Sequence, residues 1–252
     1  MAARQADVLV VGAGVVGRSL AFALAAAEPS IRVVLAGDTG GGTSAASGAA
    51  GAMLSALGEV TGLGPRTRHG RLRTELAIEA AGRWPSWREQ VRVCAPTAPQ
   101  HDGYGTGTFM ILNSVSSALD EVSFTAVART AREYGLPCQE TAPADIRYRP
   151  LDNDRALRAW YLPKEGFLDA RAWLATLDAV LAAQPNITRT PAGTLTAARG
   201  GGYLLQTPAG VFTASRAVVA AGAELRKPGV RASFLASSSW LFPFRVVKCA
   251  GL

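Results

Sequence analysis

Hydrophobic and polar positions along the first forty residues follow a strand, turn, helix, strand order. Residues 7–11, Asp7-Val-Leu-Val-Val11, form a β-branched run without a polar break, the pattern of a strand buried on both faces of a parallel sheet. The run ends in Gly12-Ala-Gly14-Val15-Val16-Gly17. The alanine-rich stretch 18–27 then predicts a helix, stopped by Glu28-Pro29-Ser30 before a second strand at 31–36. Further along, 67–87 predicts a long helix, and 123–135 carries apolar residues at helical spacing before the stop signal Gly135-Leu-Pro137. Gly200-Gly-Gly202 between 194–199 and 203–207, followed by Pro208-Ala-Gly210, predicts two turns of a small antiparallel sheet.

The glycine pattern gains meaning from its setting between a buried strand and a helix. Gly12 permits a tight turn, Gly14 lets the backbone approach a pyrophosphate, and Gly17 allows close packing of the helix on the strand. The helix N-terminus adds N–H groups and a positive dipole end, so dinucleotide binding is favoured over a purely structural glycine turn. An acidic residue for the ribose is expected at the end of the second strand. Ala36 and Gly37 stand there instead, and the first acid is Asp38, so either Asp38 reaches the ribose from one residue later or backbone and water hold it. No arginine follows the strand directly, which disfavours a 2′-phosphate and hence NADP.

The chain has 252 residues, 48% of them hydrophobic and 18% charged, which excludes a disordered, collagenous or coiled-coil protein. Its longest uncharged apolar stretch near the front, 21–27, is far below the roughly 20 residues of a membrane span, and 1–7 lacks a signal-peptide pattern. A cytoplasmic protein is the expectation. The net charge of +7 comes almost entirely from arginine, since only Lys164, Lys227 and Lys248 are lysines. Arg66, Arg68, Arg71 and Arg73 form the one dense basic group, read as a solvated helix start or an anion contact; no basic stripe with interleaved aromatics points to nucleic acid. Cys94, Cys138 and Cys249 lack metal or redox spacing, and His69 and His101 cannot make a metal site by themselves. A zinc hydrolase is disfavoured and no metal is expected.

The run Gly40-Gly-Gly-Thr43-Ser44-Ala-Ala-Ser47-Gly-Ala49-Ala50-Gly51-Ala-Met53-Leu54 is too small and glycine-rich for an ordinary loop. Small residues let a backbone lie against a planar ligand, and hydroxyls can meet phosphates; a low-complexity loop is the bland alternative. Taken with the N-terminal glycine motif and the following Glu59, this run resembles the FAD-dependent amine and amino-acid oxidases that include D-amino acid oxidase, glycine oxidase and monomeric sarcosine oxidase. The stretches 104–112, 165–171 with the helix after it, and Val218-Val-Ala-Ala221-Gly222-Ala223 resemble later parts of the same family in the same order.

The resemblance implies an α/β fold: a Rossmann-like FAD-binding domain (1–86 and 150–226) with a discontinuous, mostly antiparallel α+β substrate domain (87–149 and 227–252). It implies that Gly12, Gly14, Val15, Val16 and Gly17 face the pyrophosphate, that Asp38 approximates the ribose ligand, and that Thr43, Ser44 and Ser47 lie along the phosphates. Ala49, Ala50, Gly51 and Met53 would run beside the flavin, with Ala221 and Gly222 closing near the pyrophosphate. Leu195 would offer backbone groups to the adenine, unless it is simply a core residue. Glu59 is the pocket candidate, with an exposed helix-start acid as the alternative; no catalytic acid or base is named. The implied reaction is oxidation of the C–N bond of an amine or amino acid to an imine, with O2 as acceptor and H2O2 released. Family members continue beyond the point where this sequence stops, and 240–252 reads as an apolar strand. One explanation is a split oxidase completed by a second polypeptide or by a homo-oligomer. The alternative is an inactive flavin-binding or interaction protein derived from the family. An NAD-dependent dehydrogenase is weaker, because the 43–53 run fits a flavin better. Attachment of the flavin through Cys249 is disfavoured against a buried thiol.

Overall fold

A computed structural model of the chain describes residues 3–38, 46–95, 97–98, 101–146, 155–198 and 200–222. In chain order the elements begin β1 (Arg4–Gln5), β2 (Val8–Val11), α1 (Val15–Ala27), β3 (Val33–Ala36), α2 (Ala46–Ala49), β4 (Met53–Leu54), α3 (Arg68–Val93), β5 (Gly105–Asn113) and α4 (Ala118–Glu133). They continue β6 (Gln139–Thr141), β7 (Ala156–Phe167), α5 (Ala170–Ala183), β8 (Ile187–Thr190), β9 (Thr194–Ala197), β10 (Tyr203–Thr207), β11 (Gly210–Ala214) and β12 (Arg216–Val219). The chain separates into two compact units, Met1–Gly42 with Gln184–Leu252, and Thr43–Ala183. Compactness therefore groups 43–86 and 150–183 with the segment between them, whereas the resemblance implies a discontinuous FAD-binding domain that joins both stretches to 1–42 and 184–226.

In the first unit a four-stranded sheet has the order β12-β2-β3-β8, with every neighbouring pair parallel. All four residues of β3 and the first three of β2 are buried, which is why both read as continuous apolar runs rather than alternating ones. Helix α1 starts at Val15, one turn ahead of the expected position 18, and buries Gly17, Arg18, Ala21, Phe22 and Ala25. Three antiparallel strands, β9, β10 and β11, form the second sheet through the two predicted turns, and the unexpected short β1 adds to β11 in parallel. Leu9, Val34 and Ala36 pack with Leu195, Leu205 and Phe212 in one core cluster.

The second unit is built on the antiparallel order β4-β7-β5, with β6 pairing to β7. One face packs on α4: Leu162 joins Ala126, Val127 and Ala131, and Trp160 stacks on Phe124 at 5.3 Å between ring centroids. The Trp160 indole N–H donates to the Phe124 carbonyl at 3.0 Å, which satisfies its polar end. Phe109 and Tyr161 occupy paired positions opposite to that face, with their rings 4.9 Å apart. Helix α3 runs to Val93 instead of ending at 87, and Pro85 sits inside it.

The expected substrate-domain segment 227–252, with its strand-like end and Cys249, lies outside the described residues.

Candidate functional site

The glycine motif lies at the carboxyl end of β2. Gly12 donates its N–H to Ala36 O at 2.7 Å, and Ala220 donates to Val11 O at 2.7 Å. Gly12 has φ +115°, and a Cβ there would collide with the Ala220 carbonyl and sit 2.7 Å from Ala221 N. Only glycine meets both demands, a left-handed backbone and the close passage of the chain leaving β12. At the end of β3, Gly37 has φ +158° and a Cβ on it would lie 2.6 Å from Ala13 N. That contact explains the departure from an acid at the strand end: the β2–α1 loop passes too close for any side chain. Asp38 follows at the exposed position beyond it.

Gly12, Gly14, Val15, Val16, Gly17, Asp38, Ala221 and Gly222 are therefore gathered at the carboxyl ends of three adjacent parallel strands, β12, β2 and β3. From β2 the chain moves through α1 to β3 on one side, while β12 enters on the other side, so the end of β2 is a topological switch point where open α/β sheets bind ligands. Gly14 supplies no capping side chain to α1, and no acid stands in the first turn to oppose an anion. Arg18, which the motif alone did not flag, is 4% exposed, and its Nε donates to Ala13 O at 2.7 Å, bracing the loop from within. Its signal was a lone charge at a position of the helical pattern that faces the sheet. Leu195 sits elsewhere, on the edge strand β9 with its side chain in the core cluster.

In the second unit, Ala49, Ala50, Gly51 and Met53 are all exposed, forming a strip of small uncharged residues between α2 and the pairing of Met53 with Phe167. A Cβ on Gly51 would meet nothing within 4 Å, and Ala52 adopts φ 47°. An exposed, uncharged strip with this backbone suits the face of a flat ring. Ser47 is half-buried in α2, while Thr43 and Ser44 lie outside the described residues.

Past β4, a cleft of about 150 Å³ is lined by Ala56, Glu59, Val60, Thr61, Thr67, His69, Arg73 and Thr74. Glu59, one of the cleft residues, pairs with Arg73 at 3.4 Å, both side chains well exposed, and α3 begins nine residues later, at Arg68. The basic group is thus partly explained: Arg73 faces Glu59, and Arg71 reaches the Pro65 carbonyl at 3.5 Å. Burial and then the Glu165 carboxylate push the Cys138 thiol up, which disfavours its thiolate form. Among the described residues no group of His, Cys, Asp and Glu could hold a metal ion, and no helix is long and apolar enough to cross a membrane.

Residues 7–243 match the family of FAD-dependent oxidoreductases known as DAO, and the chain belongs to that family. FAD is the family's cofactor, and the fold is the family's mixed α/β arrangement. Glycine oxidase from Geobacillus kaustophilus has a similar structure (TM-score 0.69, 25% identity, 87% of this chain and 56% of that one). So do L-amino acid deaminase from Proteus vulgaris (TM-score 0.64, 19% identity, 90% and 50%) and iminodiacetate oxidase from Chelativorans sp. BNC1 (TM-score 0.62, 20% identity, 86% and 56%). The chain spans about half the length of these structures. Among curated proteins compared by sequence, none matches.

Proposed function

We propose that this chain carries the FAD site of an oxidoreductase that oxidises the C–N bond of an amine or amino acid to an imine, with O2 as final acceptor and H2O2 released. The observation that carries the reading is the convergence of the glycine motif, Asp38 and Ala221–Gly222 at the switch point of the parallel sheet. In this reading Gly12, Gly14 and Gly17 with the start of α1 hold the pyrophosphate, Asp38 reaches the adenosine ribose, and Ala49–Gly51 with Met53 support the ring system. When bound, FAD supplies a two-electron acceptor. The protein's own part is to orient the amine carbon and to keep water from the site. Neither task calls for a strong base, and the pairing of Glu59 with Arg73 gives the cleft a polar group for recognition.

The reading includes a second polypeptide or a second copy of this chain over the open apolar face of the antiparallel sheet, where Met53, Phe109, Ile111 and Phe167 are each more than a third exposed. A visible spectrum of the purified protein before and after FAD addition, with mass analysis of what co-purifies and peroxide assays over a panel of amines, tests it. Flavin bands with peroxide release are expected. A chain that takes up no FAD refutes the reading, and flavin uptake without turnover of any amine replaces it with a flavin-binding protein of another role.

A further inference from the structure

Glu165 is 5% exposed, and its carboxylate accepts hydrogen bonds from one hydroxyl and three successive backbone amides. Ser55 Oγ donates to Oε2 and Leu57 N to Oε1, Ala56 N donates to Oε1 at 2.9 Å, and Gly58 N reaches both oxygens at 3.3 Å. Gly58 N also donates to Ser55 Oγ at 2.7 Å. The carboxylate comes from an irregularity in β7: pairing steps from Thr106↔Gly166 to Thr108↔Leu162, so residues 163–165 stand opposite Gly107 alone. Ala56 and Leu57 are buried, so the amides of this loop cannot turn to water and need an internal acceptor.

We propose that Glu165 is a positioning residue for the substrate cleft, an inference that rests on the oxidoreductase reading. The loop it holds, Ser55–Gly58, leads straight into Glu59 and Val60, and Ala56 itself lines the cleft. The strip beside the ring system is held separately. Met53 and Leu54 pair with Phe167 and Gly166, and Leu168 N donates to Ala52 O at 3.1 Å. Losing the carboxylate therefore frees the cleft wall while β4 stays in place. An acceptor-only group suits four converging donors, whereas an amide in its place would turn its own N–H groups against some of them.

The test uses the full chain with Glu165→Gln and, separately, Ser55→Ala, which removes only the hydroxyl. Hydrogen exchange on the FAD-free protein, FAD titration by flavin fluorescence, and KM and kcat for glycine, D-alanine and N-methylglycine are measured. For Glu165→Gln, exchange at Ala56, Leu57 and Gly58 rises at least about tenfold, the FAD dissociation constant stays within about threefold, and KM rises about tenfold with kcat little changed. Ser55→Ala gives a smaller change in the same direction. Unchanged exchange, or weakened FAD binding with unchanged KM, overturns the proposal. If Glu165→Gln does not fold, Ser55→Ala decides by the same split. A wild-type chain that takes up no FAD refutes the oxidoreductase reading itself, and exchange then still reports whether Glu165 holds the loop. FAD-loaded wild type that neither binds nor oxidises the three amines overturns the assignment of this cleft to substrate.

Discussion

Asp102 is a buried carboxylate held chiefly by Arg88, with Arg92 4.0 Å away. Arg88 grips it through Nε at 2.6 Å and Nη2 at 2.9 Å, Tyr104 N adds a bond at 3.2 Å, and the guanidinium lies 4.5 Å from the Tyr104 ring centroid. Arg88→Ala removes the hydrogen-bonded guanidinium and leaves the buried carboxylate with Tyr104 N and the more distant Arg92, 4.0 Å away; it should cost about 3 kcal/mol, read as a lower midpoint in urea. The Arg88 guanidinium, against the opposing effect of burial, holds the Asp102 carboxyl below the usual carboxylate range. A lowered value in the folded protein means that the pair stabilises fully above about pH 4 and that this stability is lost as pH falls through the folded value. Thermal melts should therefore show an acid limb below about pH 4 that shrinks in Arg88→Ala. At the proposed cofactor site, Gly12→Ala forces a left-handed alanine into the Ala220 carbonyl. It should abolish FAD uptake and lower stability by about 2–4 kcal/mol, checked by flavin titration beside a melting curve. Restored uptake at normal affinity would show that the loop yields more than its packing allows.

Individual helices and strands differ in how openly the sequence announces them. The strands β2 and β3 and the hairpins around Gly200–Gly202 and Pro208–Gly210 were legible because each is signalled locally, by unbroken apolar runs or by turn residues. Helix α4 was legible in its apolar spacing but not in its start. The capping box of Ser117 and Asp120 sets it at Ala118, where the first turn carries no buried apolar residue to signal it. Ser117→Ala should cost about 1 kcal/mol, measurable by chemical denaturation. The expected helix 67–87 already passes Pro85 but stops short of the end of α3, because the last turns are held by tertiary contacts that no local pattern announces: Arg88 on Asp102 and the fully buried Val91. For the candidate site, the glycines and Asp38 could be placed from spacing alone. Glu165 could not, because it acts on a loop 110 residues away, and for Arg18 the pattern signals a charge facing the sheet but not its acceptor, a carbonyl that only the folded turn presents.

Across the whole molecule, burial is uneven. The open sheet face with Phe109 and Ile111, 39% and 37% exposed, should bind an apolar dye such as ANS. Replacing both by serine should cut that fluorescence with little change in melting temperature, since neither side chain is deeply packed; an unchanged signal would place the dye elsewhere. The parallel sheet carries a different consequence, one of timing. Its central strand, β2, lies near the N-terminus, yet one neighbour is β12 at Arg216–Val219. At about 5–20 residues per second, the glycine loop leaves the ribosome roughly 10–40 s before the strand that closes its crevice has been made. Until then β2 has an unpaired edge on that side, and the nascent chain depends on chaperones or on slow docking to keep that edge from pairing with another chain.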